Sequence, residues 1–190
     1  MKLLGGLSSQ LGGSRRIPLR TGGAFYEAVV GAGILAGIAG EIRHVLRGPR
    51  CAVLGDENTA PRFGAAIVDR LAAEGLEPTL LTVPAGENSK SLTQLAVVCD
   101  AMTRAGLDRS SFAVAVGGGV IGDLGGFAAA VYHRGIPHVQ VPTTLLAQVD
   151  SAIGGKTAVN TAAGKNLLGA IHQPALVLAD VETLRTLPAR

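Results

Sequence analysis

Short apolar runs alternate along this chain with longer stretches whose apolar residues recur at helical spacing. Residues 17–20 and 26–30 predict two short strands around Thr21-Gly22-Gly23, an N-terminal β-hairpin. Residues 34–46 predict a helix closed by Gly48-Pro49, and 51–54 a buried strand. Asn58 and Thr59 are expected to cap the next helix, with Pro61 in its first turn, where its missing N–H costs nothing. Phe63, Ile67 and Leu71 share one face of that helix, and Gly75 ends it. A strand at 79–83 precedes a helix at 90–105, with Leu92, Leu95, Cys99 and Met102 as its apolar stripe. Strand 112–116, helix 124–132 and strand 139–141 follow. After Pro142 the alternation lapses: 143–150 suggests a short helix, 154–166 reads as a polar loop, and 176–178 as one more strand. This β-α-β order predicts an α/β fold, a Rossmann-like mostly parallel sheet with helices on both faces.

Composition sharpens that picture. The core must be aliphatic, because the chain has four Phe, two Tyr and no Trp. That suits parallel strands buried on both faces and disfavours nucleic-acid recognition by base stacking. Glycine, at 27 of 190 residues, is about twice its usual ~7%, which points to tight connections that touch a ligand. A net charge of +3 without a dense basic run gives no nucleic-acid footprint. Cys51 and Cys99 lie in apolar segments without CxxC spacing and are expected to be reduced thiols. No long apolar run predicts a membrane span, and the polar Ser8-Ser9-Gln10 interrupts any secretory core, so a cytoplasmic location is expected. Residues 1–16 are polar, rich in Gly and Ser, and expected to be a flexible N-terminus.

The candidate chemistry gathers after the predicted strands. In an open parallel sheet ligands bind beyond the carboxyl strand ends. There lie Asp56 and Asn58, residues 84–90, the run 117–123, and residues 142–150. Gly117-Gly118-Gly119-Val120-Ile121-Gly122-Asp123 joins a strand to a helix, an arrangement that offers backbone N–H groups to a phosphate. Its GxGxxG spacing is weak evidence alone. The dinucleotide fingerprint sits at a first βα turn with an acid about 20 residues on, whereas here the next strand ends in Pro142-Thr143-Thr144. Asp150, Lys156, Asn160, Lys165 and Asn166 crowd a glycine-interleaved stretch whose lysines suit a carboxylate or phosphate. Gly155-Lys156-Thr157 looks like the end of a Walker loop, but Asp150 stands where its first glycine is required. His44, His133, His138 and His172 show no metal-ligand spacing, so no metal site is expected from this chain.

At these residues the chain resembles the 3-dehydroquinate synthases. The matching segments are 84–92, 117–123, 132–135, the unbroken run 140–166, and the tail 180–188. The resemblance spans roughly residues 15–190, which would form one NAD-binding domain at 17–190. It implies conversion of the sugar acid phosphate DAHP to 3-dehydroquinate and phosphate, with transient NAD-dependent oxidation at C5. It implies adenosine-side NAD contacts at Asp56, Asn58, Gly86, Glu87 and Lys90, and a pyrophosphate loop at Gly118, Gly119, Val120, Ile121, Gly122 and Asp123. Thr143 and Thr144 would adjoin that loop, and Thr183, Leu184, Arg185 and Thr186 would form another cofactor segment. Arg134, Asp150, Lys156, Lys165 and Asn166 would be catalytic, substrate-side residues, the two lysines also lying near the nicotinamide.

One departure is Ala85, where many members carry Asp. The family's helical C-terminal domain, which carries the zinc or cobalt ligands, would lie outside these residues. The chain alone is therefore expected to be inactive, although the full protein would be a homodimer. Two alternatives remain: another sugar phosphate cyclase, of the 2-deoxy-scyllo-inosose or valiolone synthase type, and a non-catalytic nucleotide-binding module.

Overall fold

The computed structural model describes residues 13–21 and 23–188. Among them, strands β1 (Arg15–Thr21), β2 (Ala24–Gly31), β3 (Arg50–Asp56), β4 (Glu77–Val83), β5 (Phe112–Gly117), β6 (His138–Pro142) and β9 (Leu176–Asp180) form one sheet. Their order is β1-β2-β9-β6-β5-β3-β4. Every neighbouring pair is parallel except β1 and β2, the expected hairpin. Strand β1 starts at Arg15, earlier than expected, because Arg16 is anchored by ion pairs to Glu27 and Glu41. The expectation for residues 1–12, and Gly22 of the hairpin turn, lie outside the described residues.

The period-2 alternation of strand side chains builds a two-faced core. Val114, Val116, Val53, Val139, Val141, Leu176 and Leu178 pack on one face against α1 (Ile38–Val45) and α2 (Ala65–Ala73). Ile38, Ile42, Ile67 and Leu71 of those helices are fully buried, each contributing roughly 1.5–3 kcal/mol by burial. The other face offers the smaller Ala52, Ala113 and Ala115 to α3 (Leu92–Arg104) and α4 (Gly119–Val131). There α4 lies so close that a β-carbon at Gly125 would come within 2.9 Å of Ala115 Cβ.

Three sequence expectations need correction. Helix α4 begins at Gly119 rather than 124, because Gly119, Gly122, Gly125 and Gly126 serve close helix packing as well as a turn. Leu92 of α3 is 49% exposed, and Val98 takes its place beside Leu95 and Met102 in the core. The supposed loop at 154–166 is largely β7 (Lys156–Thr161), paired antiparallel with β8 (Gly164–Ile171). Its inward positions are Thr157 and Val159, so the hairpin's alternation is masked by a polar residue on the buried side.

Candidate active site

Strand β3 is followed by β4 on its outer side, and the chain then crosses back to place β5 on β3's inner side. That reversal leaves a crevice at the carboxyl ends of β3 and β5. The register ends with Leu54 opposite Ala115, so Asp56 and Gly117 close neighbouring strands at the same height. Asp56 thus holds the spatial place of the fingerprint acid that the linear spacing denied to the glycine run. Its Oδ1 accepts from Asn58 N at 2.9 Å and Thr59 N at 2.8 Å. The Asp56 carboxylate therefore satisfies this turn, where the side chains of Asn58 and Thr59 were expected to cap; Thr59 makes no cap bond to the following helical turn.

A cleft of about 450 Å³ opens there, lined by Asp56, Asn58, Gly86, residues 118–121, Thr143, Thr144 and Thr186. The first bond within α4 runs from Gly122 N to Gly118 O, so the N–H groups of residues 119–121 precede the helical ladder. No side chain caps this terminus, unlike α3, which Ser91 caps. A β-carbon at Gly118 would press within 3.1 Å of Thr144. Bare backbone, a helix N-terminus and an apolar Ile121 behind it make a cradle for a diphosphate.

A second cleft, of about 530 Å³, lies on the other side of the same helix end, lined by Asp123, Asp150, Ser151, Lys156 and Asn166 among others. Lys156 Nζ donates to Asp150 Oδ1 at 2.7 Å on an exposed surface. Asp123 and Lys90 form a buried ion pair. Burial raises the Asp123 carboxyl above its ordinary range, against the opposing pull of Lys90. Glu87 is held below the usual range, chiefly by a hydrogen bond from Asn160 and further by Lys165. Lys165 Nζ stands 3.6 Å from Glu87. Lysines and carboxylates in this arrangement are suited to holding an anionic sugar.

The structure thus gathers most of the expected residues, with differences. Neither Glu87 nor Lys90 lines the first cleft: Glu87 faces Asn160 of the β7–β8 hairpin, while Lys90 turns its side chain to Asp123 of α4 and only its carbonyl to Asn160 N. Val120, Ile121 and Gly122 sit in the first turn of α4, where Gln140 Nε2 donates to Gly122 O. Thr183 is buried against Gln148, Leu184 is partly buried, and Arg185 pairs with Glu182; of that segment Thr186 reaches the first cleft. Arg134 is not brought to the others: it follows the far end of α4. Sequence reasoning missed Arg62, Phe63, Ser151 and Thr157 as lining residues. Ser151 adjoins Asp150 in the matched run and was legible; Arg62 and Phe63 carried no motif. Among the described residues no group of three His, Cys, Asp or Glu could hold a metal ion, and no helix is long and apolar enough to cross a membrane.

A family model described as 3-dehydroquinate synthase N-terminal matches residues 80–190. The 3-dehydroquinate synthase of Symbiobacterium thermophilum is 55% identical over 166 residues, covering 87% of this chain and 46% of that protein. A solved 2-deoxy-scyllo-inosose synthase, complexed with carbaglucose-6-phosphate, NAD+ and Co2+, superposes with a TM-score of 0.84 at 28% identity, over 92% of this chain and 48% of its own. The 2-epi-5-epi-valiolone synthase of Streptomyces hygroscopicus, with NAD+ and Zn2+ bound, gives 0.75 at 34% identity, over 85% and 44%. The chain spans about half the length of the curated relatives it matches. The resemblance read from the 117–123 and 140–166 motifs is borne out, and the chain belongs to the 3-dehydroquinate synthase family, matching its N-terminal part.

Proposed function

We propose that this chain is the cofactor-binding half of a 3-dehydroquinate synthase, acting on DAHP and releasing phosphate. The observation that carries this reading is the pair of clefts that share one helix end, with Ser151 Oγ within 3.3 Å of where a Gly119 β-carbon would stand. NAD, when bound, would supply a hydride acceptor for the substrate alcohol and return the hydride later, with no net redox change. The N–H groups of 119–121 and the glycine cradle would hold its diphosphate. Asp56 would accept from an adenosine ribose hydroxyl. Lys156 and Asn166, beside Asp150, would hold the substrate's anionic groups and orient them toward the α4 end. The divalent metals of the two solved neighbours find no three-ligand group among the described residues. On this reading those ligands belong to the longer protein, and the full protein is a homodimer of such chains.

Titration calorimetry with NAD and a phosphate-release assay with DAHP test the proposal. The expected result is NAD uptake by the 190-residue chain without turnover. No heat at millimolar NAD would overturn the cofactor role; DAHP conversion by the chain alone would overturn its being half a site. Another sugar phosphate cyclase is the second reading, motivated by the backbone likeness to the inosose synthase. The 55% identity to a dehydroquinate synthase, against 28% and 34% to the other cyclases, favours the first. A full-length protein that turned over a hexose 6-phosphate and left DAHP untouched would reverse that choice.

A further inference from the structure

One side chain joins the Glu87 turn to the lysine hairpin. Asn160 Nδ2 donates to Glu87 Oε1 at 2.7 Å, and Asn160 Oδ1 accepts from Asn166 N at 3.0 Å. Its backbone N donates to Lys90 O at 2.8 Å. The donor, the acceptor and the main chain of this residue thus reach three separate places. Asn160 sits at the irregularity in β7–β8 pairing, between Val159 and Thr161. Such an irregularity turns a side chain out of the hairpin's alternation, which here aims it at Glu87. Asn166 has φ 57°, a left-handed conformation that asparagine tolerates better than most residues. Its N–H is satisfied by Asn160, which fixes that unusual backbone, and the adjacent Lys165 ends 3.6 Å from the same Glu87 carboxylate oxygen. Farther down the hairpin Thr157 and Val159 are buried against the domain. Around Lys165 the hairpin is exposed, and among the described residues the polar ties of this end to the body run through Asn160 and the Lys165–Glu87 pair, Lys156 pairing with Asp150 at the other end.

We propose that Asn160 is a positioning residue, stapling the turn that carries Glu87 to Asn166 and Lys165, so that cofactor seated against one wall fixes Asn166, which lines the second cleft, and the lysine beside it. This inference rests on the cofactor reading above for its function but not for its geometry. A bulge without a staple would leave the Asn166 N–H open to solvent and Lys165 free to leave Glu87.

The test uses N160D, E87Q and the double variant E87Q/N160D, read by amide hydrogen exchange at Asn166 and by NAD calorimetry. N160D sets a carboxylate against the Glu87 carboxylate. Asn166 exchange is then expected to rise about tenfold and NAD binding to weaken about tenfold, the scale of one charge-assisted hydrogen bond. In E87Q/N160D the amide introduced at position 87 donates to the carboxylate introduced at position 160, reversing the polarity of the bond while keeping the staple. Asn166 exchange is expected to return to within about threefold of the parent. Unchanged Asn166 exchange in N160D, or a double variant no better than N160D, overturns the proposal. If N160D fails to fold, E87A removes the same anchor from a largely exposed position and must loosen Asn166 alike; intact protection there is equally fatal. A parent that takes up no NAD sinks the cofactor reading, and the exchange data still decide the staple.

Discussion

Replacing His138 with phenylalanine is expected to stabilise the domain and to flatten its response to acid. His138 opens β6 and is 0% exposed. Neither ring nitrogen has a hydrogen-bond partner among the described residues. The ring stacks on His172 with centroids 5.1 Å apart, while His172 itself contacts Ile136 O through Nε2 at 2.9 Å. Burial, and then the charge of His172, push the His138 pKa from 6.5 to about 3. The unfolded chain therefore binds a proton at this position that the folded domain excludes. The stability this group contributes is fully present above the unfolded pKa and drains away as pH falls toward the folded one. With about 1.4 kcal/mol per unit, the loss at about pH 5 is about 2 kcal/mol. Phenylalanine fills nearly the same space and leaves no unpaired nitrogen, which adds about 1 kcal/mol at neutral pH. Urea unfolding of parent and variant at about pH 7.5 and about pH 5 checks this. The gap is expected to widen from about 1 to about 3 kcal/mol on acidification. Groups common to both proteins cancel in that difference. A gap that stays constant with pH refutes the argument that this imidazole is buried neutral.

Three further outcomes follow from packing and pairing. Gly125→Ala gains about 1 kcal/mol of helix propensity but drives a methyl against Ala115 Cβ at 2.9 Å on a central strand; thermal unfolding should show a net loss of about 1 kcal/mol. Lys90→Met leaves Asp123 buried without its cation, at a cost of about 3 kcal/mol in denaturant unfolding, most of which K90M/D123N should recover. Asp180→Ala strips the acceptors from Gly33 N, Leu35 N and Glu182 N, bonded at 2.8, 3.0 and 3.0 Å; about 3 kcal/mol should be lost in urea, with Asn restoring part of it.

The central strand 112–117 was legible because it is uniformly apolar and ends in glycine, whereas in 138–142 only Val139, Val141 and the closing proline carried the signal, His138 and Gln140 being buried polar residues. The glycine run was read as a turn ahead of the helix, whereas Gly119 and the residues after it already belong to α4, so the run serves the turn and the helix at once. Asp56 was named from its place at a strand end, but linear spacing hid its closeness to the glycine run, because it precedes Gly117 by much of the chain and comes level with it only through the pairing of β3 with β5. The β7–β8 hairpin was illegible for a different reason. Thr157 turns its hydroxyl to Ala170 O at 2.8 Å and so can occupy a buried position that a hydropathy pattern reserves for an aliphatic residue. Asn160 showed only as one polar residue of the 150–166 stretch; its bond to Glu87, which is remote in sequence, had no signal.

Strand β2 finds its inner neighbour in β9, pairing Glu27 with Leu176 through Gly31 with Asp180. The same Asp180 reaches across 147 positions of chain to hold Gly33 N. Contacts of such separation exact a large loop-closure entropy before they return any stabilisation, so they form late. During synthesis, therefore, the hairpin β1–β2 leaves the ribosome before the other strands of its sheet and waits longest for its partner. It has no sheet to join until β9 emerges. A nascent chain stalled before residue 176 would hold β3 to β6 in native order while Tyr26, Ala28 and Val29, all buried in the finished domain, stay uncovered. The order of emergence makes this edge the region most in need of chaperone protection on the ribosome.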